Sequence, residues 1–226
     1  MYACANWFTL ALTPAQATWR KQQRAQLLAA RTAASAQDHA AWSASINALL
    51  VEVLDLQAPC VLGLCWPYRA EFDARPFAAR LRARGVRSAL PVVRGPGLPL
   101  EFRHWWPGVL MDKGVYGIPV PRDTETLLPD VLLVPPVGID TQGYRLGYGG
   151  GYFDRTLAAM ARKPVCIATA FDLSRIDTLD PQAHDVRMDF VLSESGITQC
   201  LPDGFRAINA AQCRVAVQHL LAERAN

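Results

Sequence analysis

The sequence contains no long apolar run, and this absence excludes a membrane-spanning helix. Such a helix needs about 20 consecutive apolar residues, whereas the longest candidate, residues 131–139, is interrupted by Pro135 and Pro136. Charge of one sign is also scarce, since 23 Lys and Arg against 20 Asp and Glu leave a net charge of +3. Proteins that bind nucleic-acid phosphates usually carry a strong basic excess. We therefore expect neither a membrane nor a nucleic-acid partner.

The sequence also lacks any CxxC pair, although it contains six cysteines. Because these are scattered through a chain that is 51% hydrophobic, we expect reduced thiols rather than a disulfide framework or a zinc site. No Lys or Arg precedes Arg20, and a secretory signal peptide needs such a charge. We expect a cytoplasmic monomer, with export as the alternative. Residues 1–12 are predicted to be a poorly ordered segment and 13–226 a single domain.

Short apolar runs alternate with stretches of helical spacing along the chain. Thr13-Pro14-Ala15-Gln16 has the pattern of a capping box, which predicts the start of a helix. Helices are predicted over 14–31, from Ser35 towards Pro59, and over 73–84, 152–161 and 210–224. Strands are predicted over 60–66, 89–93, 100–105, 130–135, 165–170 and 190–192. Apolar strands without polar alternation, separated by helices, indicate the α/β class: a three-layer domain with a mostly parallel sheet flanked by helices on both faces.

Glycine is concentrated in one segment, residues 143–155 (GYRLGYGGGYFDR), between a predicted buried strand and a predicted helix. Glycines let the backbone bring amide groups close to an anion, and a helix start adds unpaired donors. The segment is not a GxGxxG fingerprint, because Tyr152 occupies the third glycine position, and it lacks the lysine of a Walker A loop. A tight packing turn is the alternative to a phosphate site. The adjacent Arg145, Asp154 and Arg155 favour phosphate with Mg²⁺.

Five blocks of sequence, in order, resemble the 5-formyltetrahydrofolate cyclo-ligase family, also called 5,10-methenyltetrahydrofolate synthetases. The resemblance extends over residues 20–194, most of the chain. The glycine segment carries the most specific part of it. The blocks are 20–24 (RKQQR), 66–73 (WPYRAEFD), 90–93 with 117–119 (LPVV and GIP), 140–155 (DTQGYRLGYGGGYFDR) and 184–189 (HDVRMD).

This resemblance implies a reaction and its co-substrates. The family converts 5-formyltetrahydrofolate to 5,10-methenyltetrahydrofolate and consumes ATP in the presence of Mg²⁺, releasing ADP and phosphate. The formyl oxygen is phosphorylated first, and N10 of the folate then attacks the activated carbon. Two other interpretations stay open, because fold and phosphate loop alone permit many chemistries. They are another ATP-using or phosphosugar-handling α/β enzyme on a small substrate, and a non-catalytic nucleotide-binding relative.

The resemblance also implies roles for individual residues. Arg145 and Tyr152 are the catalytic candidates, and Asp154 and Asp185 are the metal candidates. The ATP-binding candidates are Arg20, Lys21, Arg24, Arg145, Gly147, Tyr148, Gly149, Gly150, Gly151, Tyr152 and Phe153. The substrate-binding candidates are Trp66, Glu71, Tyr148, Gly149, Gly150, Gly151 and Tyr152, and Trp105 and Trp106 are candidates for an aromatic wall.

Each candidate side chain also has an ordinary structural interpretation. The basic residues of the first helix, Arg20, Lys21, Arg24 and Arg31, suit a solvated polar face. A helix-start charge suits Asp154, a loop cap suits Asp185, an exposed loop acid suits Glu71, and a core aromatic suits Trp66. The match of both aspartates to the family's metal ligands favours Mg²⁺ binding, so Asp154→Asn is expected to weaken turnover far more than stability.

Overall fold

The computed structural model describes residues 12–225, so the prediction for residues 1–12 lies outside it except at Leu12. The predicted capping box at the first helix is confirmed, because Thr13 Oγ1 accepts a hydrogen bond from the amide of Gln16 at 3.2 Å. No helix within residues 12–225 combines the length and the apolar character that spanning a bilayer requires. The helices are α1 (Pro14–Ala33), α2 (Ala36–Val53), α3 (Arg75–Leu81), α4 (Tyr152–Ala159) and α5 (Ala210–Ala225).

All six predicted strands are present, and six further short strands were not predicted. The unpredicted ones form a hairpin at one edge of the main sheet and two small two-stranded sheets. The strands are β1 (Val61–Gly63), β2 (Arg87–Val93), β3 (Leu100–Trp105), β4 (Met111–Lys113), β5 (Pro119–Pro121), β6 (Val131–Val134), β7 (Gly138–Ile139), β8 (Arg145–Leu146), β9 (Val165–Thr169), β10 (Phe190–Ser193), β11 (Gly196–Leu201) and β12 (Gly204–Ile208).

The main sheet has eight strands in the order β12-β11-β10-β9-β6-β1-β2-β3. The five central strands, β10, β9, β6, β1 and β2, run parallel to one another. At the edges, β3 is antiparallel to β2, β11 is antiparallel to β10, and β12 is antiparallel to β11. Val131 and Leu133 of β6 belong to a core with α2, α3 and α5. Leu132 and Val134 point to the opposite face, into a second core that includes Leu157 of α4. The predicted three-layer α/β fold is confirmed.

The order of the strands determines where a binding site can lie. From β1 the chain continues to β2 on one side, whereas β6, which follows much later, pairs with the other side of β1. Ligands of open α/β sheets bind beyond the carboxyl ends of the strands at such a reversal. The chain segments that follow β1 and β6 border the large cavity described next.

Candidate active site

A cavity of about 760 Å³ lies at this reversal and gathers almost all of the predicted site residues. Its wall is formed by α1, by the segments that follow β1 and β6, by the glycine loop (residues 143–151) with the start of α4, and by residues 184 and 185. Every predicted ATP, substrate, metal and catalytic residue lines it except Lys21, which is exposed on α1. The aromatic-wall prediction was wrong, because Trp105 and Trp106 line a separate cavity of about 270 Å³.

The glycine loop includes the short buried strand β8, which pairs with β7 outside the main sheet. Gly149 has φ +99°, a conformation that side chains rarely adopt. A Cβ at Gly150 would lie 2.7 Å from Cε2 of Tyr152, so the tyrosine ring would have to move to admit a side chain there. Gly151, with φ +61°, is the N-cap of α4 and offers no side-chain cap. Residues 149–151 thus present backbone to the cavity, whereas Tyr148 contributes a side chain to its wall.

Two arginines of α1 join this helix to the cavity wall, so the interpretation as a solvated face is wrong for both. Nε of Arg24 donates to the carbonyl of Gly147 at 2.7 Å. Nη2 of Arg20 donates to Oδ2 of Asp185 at 2.8 Å, and the side chain of Arg20 is only 11% exposed. Within the described residues, the buried Nε of Arg20 has no hydrogen-bond partner. Arg24 therefore lies next to the glycine loop, and Arg20 lies next to the carboxylate of Asp185.

Arg145 is buried and bonded to protein groups on both sides. Nη1 donates to the carbonyl of Val186 at 2.6 Å, and Nη2 donates to Oδ1 of Asp154 at 2.6 Å. Asp154 in turn accepts the amide of Val186 at 3.0 Å. The interpretation of Asp154 as a simple helix-start charge is therefore incomplete. The Arg145–Asp154 pair fixes the start of α4 against residues 184–186, where the second metal candidate lies.

The two metal candidates suit a hard cation that keeps open coordination positions. Within residues 12–225, Oδ2 of Asp154 accepts no hydrogen bond, and Oδ1 of Asp185 has only His184 Nε2 near it, at 3.8 Å. Each carboxylate thus has one oxygen available to the cavity. The described residues contain no cluster of three or more His, Cys, Asp or Glu that could enclose a metal. Mg²⁺ is commonly held by one or two carboxylates together with water and substrate phosphates, so the donor set fits it.

Glu71 is 4% exposed, so the interpretation as an exposed loop acid is wrong. Its Oε1 accepts the hydroxyl of Tyr148 at 2.7 Å, and its Oε2 accepts the amide of Tyr68 at 3.0 Å. Burial raises the pKa of Glu71 to about 7, although the Tyr148 hydroxyl and the charge of Arg31 act in the opposite direction. Glu71 is therefore a buried acid that changes charge near neutral pH at the cavity wall.

Arg31 was predicted on the polar face of α1 and is instead buried, with 4% exposure. It lies 11 residues after Arg20 and 7 after Arg24, so at 3.6 residues per turn all three point to one side of the helix. That spacing is the signal in the sequence that could have identified Arg31 as a buried residue.

Trp66 is half-buried, and the guanidinium carbon of Arg75 lies 3.9 Å from the centre of its ring.

We predict that Glu71 makes stability depend on pH. Because its pKa is about 7 in the folded chain against an ordinary 4.5, the folded state binds more protons between these values. The free energy of unfolding therefore falls as pH rises through this window, by about 3 kcal/mol in total. Urea unfolding of wild type and Glu71→Gln at pH 5 to 8 should show wild type losing this amount relative to the variant. The exposed Glu52→Gln serves as control, and a difference that stays constant with pH contradicts the prediction.

Comparison with known proteins agrees with the resemblance noted in the sequence. A family model described as the 5-formyltetrahydrofolate cyclo-ligase family matches residues 16–194. The 5-formyltetrahydrofolate cyclo-ligase of Mycolicibacterium smegmatis is 38% identical over 117 residues, which cover 48% of this chain and 60% of that relative. The match therefore spans less than two thirds of that relative's length. The Escherichia coli K12 protein of the same name is 30% identical over 137 residues, 58% of this chain and 75% of that protein.

A solved structure shares the fold as well. The NMR structure of Aquifex aeolicus 5,10-methenyltetrahydrofolate synthetase superposes with a TM-score of 0.69 at 25% identity, covering 84% of this chain and 96% of that one. The family match includes α1, the segment after β1, the glycine loop and both metal candidates. On these grounds the chain belongs to the 5-formyltetrahydrofolate cyclo-ligase family.

Proposed function

We propose that this protein is an enzyme that converts 5-formyltetrahydrofolate to 5,10-methenyltetrahydrofolate with ATP and Mg²⁺, releasing ADP and phosphate. The observation that supports this most is that one cavity is shared by the glycine loop with Arg20 and Arg24, by the two aspartates, and by Glu71 with Trp66. A nucleotide and a pterin bound to these two sides would meet in a single space. Family membership supports the same reaction.

The proposed reaction has two steps. The formyl oxygen attacks the γ-phosphorus of ATP and ADP leaves, which converts a poor leaving group into a phosphate ester. N10 of the folate then attacks the formyl carbon, loses its proton, and the carbon–oxygen bond breaks as phosphate departs. Neither step needs a protein nucleophile, so the protein contributes by positioning both substrates and by balancing the moving charge.

On the ATP side, backbone amides of the glycine loop would hold the phosphates. Arg24 lies over the loop, with its guanidinium carbon 3.5 Å from the position of a Cβ on Gly149. Arg20 lies one turn earlier on the same helix, and its buried Nε has no hydrogen-bond partner among residues 12–225. Lys21 is exposed and outside the cavity wall, so we leave it out of this arrangement. Arg145 would act through Asp154, because both ends of its guanidinium are already bonded.

On the folate side, Glu71 would accept hydrogen bonds from the N–H groups of the pterin. It does this best when ionised, and with a pKa of about 7 it is roughly half ionised at neutral pH. Trp66 and Tyr152 would contact the ring system from the cavity wall. Asp154 and Asp185 would hold Mg²⁺, whose charge neutralises the phosphates of ATP when it is bound.

The decisive experiment mixes purified protein with 5-formyltetrahydrofolate, ATP and Mg²⁺ and follows the absorbance of the methenyl product. We expect product to form with all three components and not when ATP is replaced by ADP or Mg²⁺ is removed by chelation. The exposed Arg84→Ala, outside the cavity, should match wild type. Folded protein that forms no product refutes the proposal. ATP binding without turnover would instead identify a non-catalytic nucleotide-binding relative.

A further inference from the structure

Arg31 connects four segments that surround the cavity. It lies in the last turn of α1. Its guanidinium donates to the carbonyls of Arg69 and Pro136, both at 3.0 Å, and to the hydroxyl of Tyr148 at 2.7 Å. Its Nη2 is also 3.5 Å from Oε1 of Glu71. A buried guanidinium costs free energy unless its donors are paired, and here each of the three nitrogens has a partner.

The segment that presents Glu71 has an unfavourable backbone. Arg69 and Ala70 both have left-handed φ values, +48° and +58°, which are costly for residues other than glycine. Two side chains hold this turn through its carbonyls: Arg31 donates to Arg69, and His39 Nε2 lies 3.3 Å from the oxygen of Ala70. The position of the Glu71 carboxylate therefore depends on contacts from the first two helices.

The direction of the hydrogen bonds follows from the chemistry of the groups. A guanidinium has donors only, so the Tyr148 oxygen accepts from Arg31 and its single proton goes to Glu71. This arrangement suits Glu71 as a carboxylate, which accepts at both oxygens. Tyr148 belongs to the glycine loop, so the same contacts join the proposed ATP side of the cavity to the acid on the folate side.

We propose that Arg31 is a positioning residue for Glu71: through Tyr148 and the backbone of Arg69 it places the carboxylate as an acceptor for the folate, and its charge favours the ionised form. This inference rests on the proposed function for the identity of the ligand. The groups that face Glu71 are Arg31, Tyr148 and the thiol of Cys65. Arg31 supplies the positive charge among them, so its loss should favour the protonated form of the acid.

The test compares Arg31→Met, Arg31→Lys and the matched control Arg224→Met. Arg224 is also partly buried and pairs with a carboxylate, Asp189, away from the cavity. An opposite charge at this distance lowers a carboxyl pKa by about 1 or more. Carbon-13 NMR of Glu71 should therefore show its titration moving from about pH 7 to about pH 8 or above in Arg31→Met, with Arg31→Lys in between and Arg224→Met unchanged.

Kinetics provide the second measurement. At pH 7 the smaller ionised fraction should raise KM for 5-formyltetrahydrofolate about fivefold or more in Arg31→Met. The increase should shrink at pH 9, and KM for ATP should change far less. An unchanged Glu71 titration, or equal changes in both KM values that do not depend on pH, overturns the inference. Wild type that forms no product refutes the proposed function instead, while the NMR titration still decides whether Arg31 controls Glu71.

Discussion

Asp185→Asn is expected to lower Mg²⁺-dependent turnover by about 10²- to 10³-fold, a loss comparable to that from removing one preorganised stabilising group in an active site. In the proposed site, Oδ1 of Asp185 would contact the metal, while Oδ2 is occupied by Arg20 at 2.8 Å and by the amide of Gln182 at 2.8 Å. Asparagine retains the shape of the side chain but not its charge. Turnover measured against Mg²⁺ concentration should show a half-saturation point displaced to higher concentration.

Arg20→Met separates a metal role of Asp185 from its ion pair with Arg20. Like Asp185→Asn, Arg20→Met removes the ion pair between Arg20 and Asp185, but it leaves the carboxylate of Asp185 in place. We expect it to raise KM for ATP and to leave the Mg²⁺ half-saturation point close to that of wild type. If Asp185 only anchored Arg20, both variants would lose activity equally, with the same Mg²⁺ dependence. That outcome would remove Asp185 from the proposed metal site.

The sequence predicts those parts of the site that depend on local backbone chemistry. The φ of Gly149 and the close approach of the Tyr152 ring to Gly150 disfavour side chains at these two positions, and such positions are visible as a run of glycines. The capping box at Thr13 and the apolar strands are equally local. The structure shows β1, β2 and β6 as parallel neighbours, so the family blocks that follow β1 and β6 meet at one edge of the sheet, which the local patterns of the sequence did not predict.

What the sequence could not predict is pairing between distant segments. Arg31 is a buried contact only because residues 38, 105 and 117 positions later fold around it. In the β11–β12 hairpin, β11 mixes buried and half-buried residues and β12 has no buried residue, so the hairpin lacks the apolar runs that identified the other strands. Trp105 and Trp106 were placed in the wrong cavity because strand periodicity alone does not tell which side of a sheet binds ligand.

The pairing of Arg145 with Asp154 changes the expectation that Asp154 matters little for stability. Arg145 is 4% exposed at its side chain and Asp154 is 18% exposed, so removal of the aspartate leaves a buried cation without its partner. Such losses typically cost about 3–5 kcal/mol, and for a chain of this length they correspond to a fall in Tm of roughly 10 °C. We therefore expect Asp154→Ala to lose stability as well as Mg²⁺-dependent turnover. Arg145→Met should be less destabilising, because the remaining carboxylate is closer to solvent.

The double variant Arg145→Met/Asp154→Ala tests whether the pair itself stabilises the fold. Replacing both charges with apolar groups removes the unpaired cation, so its Tm should recover above that of Asp154→Ala. Activity should stay absent, because the proposed metal ligand is gone and the start of α4 is no longer tied to residues 184–186. Thermal unfolding and turnover of all three variants at one pH provide the comparison. If the double variant is as unstable as the sum of the single ones, the two side chains contribute to folding independently, and the prediction that the pair stabilises the start of α4 is contradicted.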